Sequence, residues 1–377
     1  MKAIRVLHVF MRMQCGGAEN MIMNIYRNID REKVQFDFLV HDPGKSFFDD
    51  EIKALGGRIF YVPRFRFINF FQYRKALLKF FSEHQREFVA VHGHLGSSAC
   101  IYLYAAKKYG IYAIAHSHNT YMSGLHPKQM MHHSLNRLTR LIADEFFACS
   151  YEAGMNRFGK KVVKGNNFRV IKNAIETERY TENEGRKQEI TYELGVSDKL
   201  VVGHIGRFSK QKNHKFLIQV FKEILNIRPE SILMLVGDGE LRGEIENTIK
   251  KLGIADNVIM TGVRSDVNEL LLIMDCFVFP SLYEGLGIVA IEAEYMGIPC
   301  FISDKCSKEL FINNNVYSIS LKKSPKEWAE IIVKNVDNRI NAEVAKNNVK
   351  NAGYDIKETA KMLESLYIDY SKQEEKK

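Results

Sequence analysis

Two short segments in the second half of this 377-residue chain carry the side chains best suited to holding a phosphorylated ligand. The first is Glu284-Gly285-Leu286-Gly287-Ile288-Val289-Ala290-Ile291-Glu292, which follows the apolar run Cys276 to Pro280 and Ser281. Two glycines let backbone amides approach an anion closely. A helix that starts near Gly287 or Ile288 turns its free N–H groups and positive end toward the same point. Glu284 and Glu292 flank that point, and a carboxylate accepting from two vicinal hydroxyls suits a ribose or a hexose. A capped helix with two surface acids is the competing reading. The second segment is Gly206-Arg207-Phe208-Ser209-Lys210-Gln211-Lys212-Asn213. A guanidinium and an ammonium on one strand-to-helix loop can grip a pyrophosphate from two sides. A solvated basic loop is the alternative there. Gly237-Asp238-Gly239-Glu240 and Thr261-Gly262-Val263-Arg264 are each compatible with an ordinary turn, but both also follow strand-like runs of the same series.

In the first half, Gly16-Gly17-Ala18-Glu19 follows the first strand-like run. It is not G-x-G-x-x-G, so it gives little support to dinucleotide binding, although a glycine pair lets a bulky ligand near the backbone. Histidines gather in this half: His92 and His94, His116 and His118, His126, His132 and His133. The H-x-H pairs invite a metal reading. Each pair straddles a predicted strand end, where the alternation that would put both rings on one face is expected to lapse. No thiolate pair or H-E-x-x-H pattern supports a closed zinc site. One histidine ending the run Tyr112–His116 is therefore expected as a hydrogen-bonding group. No D-x-D occurs anywhere, so a carboxylate-held magnesium on a diphosphate is unsupported. The positive charge for a leaving diphosphate must come from Arg207, Lys212 and a helix N-terminus.

These residues need strands to carry them. Predicted strands run Ile4 to Phe10, Phe36 to Val40, Arg58 to Val62, Phe88 to His92, Tyr112 to His116, Phe146 to Ser150 and Arg169 to Asn173. The rhythm restarts at Leu200 to Gly206, then Ile232 to Gly237, Val258 to Thr261, Cys276 to Pro280 and Cys300 to Ser303. Short apolar runs alternating with helical patterns mean parallel sheets covered on both faces. The fold class is α/β, two doubly wound domains in tandem, with an expected cleft between their loop ends. The polar stretch Glu176 to Asp198 reads as a linker. Ile356 to Tyr370 reads as a helix, followed by a frayed Lys/Glu tail.

Composition agrees with two ordinary cores: 46% hydrophobic, 26% charged, with only 7 Pro and 25 Gly, which excludes collagen-like and low-complexity chains. No apolar stretch approaches the ~18 residues of a membrane span. The Met-Lys-Ala-Ile-Arg start lacks a signal peptide's apolar region and cleavage site. Six scattered cysteines without C-x-x-C fit a reducing compartment.

Taken together, the segments resemble the retaining glycosyltransferases of family 4. The resemblance is carried by E-x7-E at Glu284 and Glu292, G-R-x4-K at Gly206, Arg207 and Lys212, G-D-G-E at Gly237, and G-G-A-E at Gly16. They occur in the family's order and span nearly the whole chain. Ala115-His116-Ser117-His118-Asn119 and Ile171-Lys172-Asn173-Ala174-Ile175 look most like the bacterial capsule and exopolysaccharide branch. The resemblance implies the GT-B fold, two Rossmann-like domains. Residues 1–182 would form the acceptor-side domain, with helix 356–377 packing back onto it, and residues 190–355 the nucleotide-sugar domain. It implies Arg207 and Lys212 on the donor pyrophosphate, Glu292 on the ribose, and Glu284 on the donor sugar. The amides of Leu286, Gly287 and Ile288 would surround the diphosphate. Backbone near Val263 and Arg264 would hold the base, and Gly16 and Gly17 would lie beside the diphosphate. His116 is the better match to the family's catalytic-region histidine, with His118 and Asn173 as second choices. The implied reaction moves a hexose or N-acetylhexosamine, with retention, from a nucleotide-sugar, by family weight a UDP-sugar. The acceptor is a sugar or a polyprenyl-diphosphate-linked sugar in cell-surface polysaccharide synthesis. No cofactor and no metal are expected. A nucleotide-sugar epimerase of the same architecture and a noncatalytic binding subunit are the alternatives. Intact Arg207, Lys212, Glu284 and Glu292 argue against the latter.

The net charge of +9 is uneven. Residues 1–180 carry 27 Lys and Arg against 15 Asp and Glu, whereas residues 181–377 carry 27 against 30. Arg64 to Arg86 alone holds six Lys and Arg, one Glu and seven aromatics. As a helix it would align Phe67, Phe70, Phe71, Leu77, Leu78 and Phe81 on one stripe and Lys75, Lys79, Ser82 and Arg86 on another. Packing against a sheet explains the apolar stripe. The basic face suits an anionic membrane surface. No helix-turn-helix, zinc-finger or RRM signature supports nucleic-acid binding. The expected place is the cytoplasm, peripheral to the inner face of the plasma membrane.

Overall fold

The computed structural model describes residues 3–118, 127–284 and 286–374. It divides into two units, residues 1–174 with 356–377, and residues 175–355. In the first unit, β1 (Ile4–Phe10), β2 (Val34–Val40), β3 (Ile59–Tyr61), β4 (Ala90–Gly93), β5 (Tyr112–Ser117), β6 (Glu145–Ala148) and β7 (Phe168–Val170) form one sheet. Its order is β3-β2-β1-β4-β5-β6-β7, with every pairing parallel. In the second unit, β8 (Leu200–Ile205), β9 (Ser231–Val236), β10 (Val258–Gly262), β11 (Cys276–Phe279), β12 (Cys300–Ser303) and β13 (Val316–Ile319) follow the order β10-β9-β8-β11-β12-β13, also parallel. The strand β13 has no counterpart among the predicted ones. Its sequence, Val316-Tyr317-Ser318-Ile319, is only partly buried at the sheet edge and lacks a continuous apolar run.

The central strands bury both faces, which is why they read as runs rather than alternations. In β1, Val6 and Phe10 pack on one side with Met21, Ile22 and Ile25 of the helix Gly17–Asn28. Leu7 and Val9 pack on the other with Tyr73, Leu77 and Phe81 of the helix Phe70–Glu83. The second unit repeats the arrangement with two cores, one around Met234, Phe277 and Ile291, the other around Leu233, Phe221 and Trp328.

The C-terminal helix Ile356–Glu374 belongs to the first unit. Ile356, Ala360, Leu363, Tyr367 and Tyr370 fall on one helical stripe and join the core of β1 and β2. Helical structure continues past Tyr370 to Glu374, where a frayed tail was expected.

Two sequence expectations require correction. The boundaries at 182 and 190 fall inside the second unit. The supposed linker holds the helix Glu184–Glu193, whose start is capped by Asn183 accepting from the Arg186 N–H at 3.0 Å. Tyr180, Ile190 and Val196 are buried in the second unit's core. Three well-spaced apolar side chains dock a segment whose average polarity conceals them. In Arg64–Arg86, the helix starts only at Phe70, after a single tight turn Phe67–Asn69. The buried stripe is Tyr73, Leu77, Phe80 and Phe81. Phe71 (82% exposed) and Ile68 (93% exposed) face solvent instead. The turn breaks the helical phase that would have carried Phe67 onto the apolar stripe, and within the helix Phe71 falls on the face opposite Tyr73, Leu77 and Phe80. Among the described residues no helix is long and apolar enough to cross a membrane.

Candidate functional site

Ligands of doubly wound sheets bind outside the carboxyl ends of the two strands between which the winding reverses. In the second unit those strands are β8 and β11. The loop after β8 carries Gly206 to Asn213 and the loop after β11 carries Ser281 to Gly287. The topology alone brings the two strongest sequence segments to one place.

The loops are bound to each other. Lys212 Nζ donates to Glu284 Oε2 at 2.6 Å, with both side chains largely enclosed (15% and 13% exposed). Gln211 Nε2 donates to Glu284 Oε1 at 3.2 Å and to the Tyr283 carbonyl at 3.1 Å. The Leu282 N–H donates to the Gln211 carbonyl at 2.8 Å, and Asn213 Nδ2 to the Pro280 carbonyl at 3.1 Å. Lys212 also lies over the Phe279 ring, 4.4 Å from its centroid. Its ammonium is thus fixed by a carboxylate and an aromatic face, and its stem lies against Gly206. Gly287 is required for the same closeness: a Cβ there would sit 2.6 Å from the Phe279 ring.

The G-D-G-E segment supports this loop. Gly237 has φ +135°, and a Cβ on it would stand 2.2 Å from the Gly206 carbonyl oxygen. Only glycine allows that contact, so Gly237 sets the path of Gly206-Arg207. Glu240 pairs with Arg207 at 3.2 Å. Arg207 itself is 75% exposed and stands apart from the Lys212–Glu284 pair.

The remaining second-unit residues divide. Glu292, on the helix Ile288–Tyr295, is half-buried and hydrogen-bonds Tyr180. Burial holds its carboxyl above the usual range against the opposing Tyr180 bond. Leu286 and Gly287 precede the helix, as expected. The Ile288 N–H, expected to face an anion, donates to the Leu286 carbonyl at 3.1 Å instead. The tight turn that opens this helix consumes that amide. Val263 is 80% exposed after β10, while the Arg264 side chain is held by Asp266, with Nε donating at 2.7 Å. Gly285 lies outside the described residues.

In the first unit the winding reverses between β1 and β4. Gly16 caps the helix after β1, where a Cβ would meet Glu19 at 2.4 Å, whereas Gly17 has open space around it. The H-x-H expectation needs correction: the alternation persists past both strand ends, and both rings of each pair turn into one cluster. His8 and His92 are registered neighbours on β1 and β4. His8 Nδ1 is 3.0 Å from His94 Nε2, and His94 Nδ1 is 2.7 Å from His118 Nε2. His92 Nε2 is 3.0 Å from His116 Nδ1, and His92 Nδ1 is 2.7 Å from Tyr367 Oη. Burial drives all five histidines below their ordinary range, His8 and His118 down to about 3. They are neutral near pH 7. Buried Arg157 donates to the carbonyls of His116 and Leu95, the latter at 2.9 Å.

His116 is fully buried, whereas His118, one step past β5, is half-buried. Of the two, His118 is the ring within reach of a ligand. Asn173 Oδ1 is buried without a hydrogen-bond partner among the described residues. Asn119, His126 and the side chains of His132 and His133 lie outside the described residues. Sequence reasoning passed over His8, Arg157, Tyr180, Gln211 and Tyr367. His8 carries a signal: it is the one histidine inside the apolar run of β1. The others make contacts 41 to 275 residues away in sequence, which no local pattern shows.

Comparison with known proteins joins these observations. Residues 15–179 match the model described as "Glycosyltransferase Family 4", and residues 186–352 the one described as "Glycosyl transferases group 1". The putative glycosyltransferase EpsF of Bacillus subtilis is 34% identical over 96% of both chains. An Escherichia coli enzyme, UDP-Gal:alpha-D-GlcNAc-diphosphoundecaprenol alpha-1,3-galactosyltransferase, is 23% identical over 97% of both. The crystal structure of Anabaena HepE in complex with UDP superposes with a TM-score of 0.79, covering 97% of this chain and 100% of that one at 18% identity. That likeness shows the GT-B fold.

Proposed function

The chain belongs to the family 4, group 1 glycosyltransferases, and from that premise we propose that it transfers a hexose or N-acetylhexosamine from a UDP-sugar with retention of configuration. The proposed acceptor is a sugar or a polyprenyl-diphosphate-linked sugar of cell-surface polysaccharide synthesis. The single observation that carries the reading is the Lys212–Glu284 pair at the β8/β11 reversal. A fixed ammonium beside a fixed carboxylate matches a donor with a diphosphate on one side and sugar hydroxyls on the other. The relative from Escherichia coli, whose name prints a UDP-sugar donor and a diphosphoundecaprenol-linked acceptor, and the UDP complex of HepE support the choice of substrates.

In this reading Lys212 and Arg207 meet the diphosphate, with the amides of Leu286 and Gly287. Glu284 accepts from donor-sugar hydroxyls, and Glu292 from the ribose, steadied by Tyr180. Backbone beside Val263 and Arg264 meets the base. His118 takes the place first expected for His116, because His116 has no exposed surface. The bond from the anomeric carbon to the β-phosphate oxygen breaks while the acceptor oxygen bonds to the same carbon on the same face. The departing phosphate oxygen accepts the acceptor's proton. Catalysis then comes from positioning and from the Lys212 and Arg207 cations aimed at the leaving charge.

The acceptor proposal extends to a membrane surface. Ile68, Phe70 and Phe71 are exposed, and so are Arg64, Arg66, Lys75 and Lys79 around them. Apolar side chains that insert, ringed by cations that meet anionic headgroups, define an interfacial anchor. A peripheral place on an anionic leaflet follows. The test is nucleotide release from a panel of nucleotide-sugars, with and without a polyprenyl-diphosphate-linked sugar. Release that depends on the acceptor and is lost in Lys212→Ala supports the proposal. Release from no nucleotide-sugar, or release indifferent to Lys212, overturns it. Co-sedimentation with vesicles, lost at high salt or in Phe71→Ser, tests the anchor.

A further inference from the structure

Of the five clustered histidines only His118 has a proposed place at the donor, and the cluster as a whole has a chemistry of its own, which rests on that reading only through His118. We infer that His94, His116 and His118 bind one nitrogen-preferring divalent cation of the zinc, cobalt or nickel class, with the fourth coordination position open. Each offers one nitrogen, and the three lie within 4.8 Å of one another. The ring centroids are 5.4 Å (His94–His116), 5.0 Å (His94–His118) and 4.0 Å (His116–His118) apart.

The second observation is an unused lone pair: His116 Nε2 is buried and meets no hydrogen-bond partner among the described residues. The surrounding bonds are compatible with the tautomer that a ligand needs: where His92 Nδ1 donates to Tyr367 Oη, His92 Nε2 accepts from His116 Nδ1 and His116 Nε2 is left bare. That is how metal-binding histidines are held from behind, by a partner on the far nitrogen. His94 keeps His8 behind its Nε2. The 2.7 Å between His94 Nδ1 and His118 Nε2 is short of the ~3.3 Å between two nitrogens around a tetrahedral ion. Rotation of the half-buried His118 ring supplies the difference.

His8, His92 and His94 form a second group of the same span. All three of those rings are fully enclosed, whereas His118 gives the outer group a path to solvent.

The experiment uses the full chain without a histidine tag, stripped with chelator and titrated with Co2+ and Zn2+. The expected result is one ion per chain by calorimetry and the visible absorption bands of four-coordinate Co2+. His118→Gln weakens binding on the order of 100-fold, and His116→Gln does the same, while His84→Gln, outside the group, binds like the parent. Where His116→Gln fails to fold, His118→Gln decides, with circular dichroism as its check. No saturable Co2+ spectrum in the parent overturns the site. So does unchanged affinity in His118→Gln.

Discussion

The two sheets reverse their winding in the same way, yet the two reversal points are chemically opposite. Between β8 and β11 stand charges: Lys212 held by Glu284, with Arg207 and Glu240 nearby. Between β1 and β4, and onward to β5, stand five neutral imidazoles and a tyrosine hydroxyl. Apart from Arg157, buried against the His116 carbonyl, the basic surplus of residues 1–180 therefore is not at that unit's reversal point. It lies outside, in part on Arg64, Arg66, Lys75 and Lys79. The comparison teaches that topology chooses where a site can be, and local residue type chooses what it holds. The ionic point suits a diphosphate, while the imidazole point suits hydrogen bonds or a cation.

The largest effect that could break this contrast is in the ionic point. Lys212→Ala is expected to lower sugar transfer by about 10²–10³-fold with circular dichroism unchanged, since it removes the enclosed cation proposed to meet the leaving group. Arg207→Ala, three-quarters exposed and already paired with Glu240, should cost less, about tenfold. Equal losses would erase the distinction between an enclosed and a screened cation. Next is the backbone beneath it. Gly237→Ala forces a side chain into φ +135° and against the Gly206 carbonyl, and should lower stability by roughly 1–3 kcal/mol in denaturant titration. At the imidazole point, Tyr367→Phe leaves His92 Nδ1 without its partner and should cost about 1–2 kcal/mol, read the same way.

The smallest effect is a pH slope away from either point. Burial pushes the Glu294 carboxyl up to about 8, although its Oε2 accepts from the N–H groups of Ile312 and Asn313. The unfolded chain ionises this group near 4.5, so the folded state binds the extra proton in between. Stability is therefore full below about 4.5, falls as pH rises toward 8, and levels above it. A melting temperature lower by a few degrees at pH 8 than at pH 5 is expected, with the slope reduced in Glu294→Gln. An unchanged slope in that variant would assign the pH dependence elsewhere.

Much of this was legible in the sequence. Strands buried on both faces announce themselves as apolar runs, and β1 and β12 have the predicted limits. The loops bearing Gly206 and Glu284 were found because glycine, cation and acid types cluster after such runs. That Lys212 and Glu284 touch was not legible, because 72 residues separate them and only the strand order brings them together. The histidine cluster was misjudged by a local argument. The backbone keeps its extended alternation one residue beyond β4 and β5, and no sequence rule marks where a strand's pleat ends. The helix at Glu184 was hidden by its own polarity, since it buries only Ile190, with Tyr180 and Val196 docking the chain on either side.

The central claim is that the charged reversal point of the second unit is the donor site. Calorimetric titration of the purified chain with UDP tests it most directly, in the parent, in Lys212→Ala and in Lys108→Ala, an exposed cation of the first unit. The account predicts one saturable UDP site per chain, at least tenfold weaker in Lys212→Ala and unchanged in Lys108→Ala. Equal affinity in the parent and Lys212→Ala, with the fold intact, would contradict it.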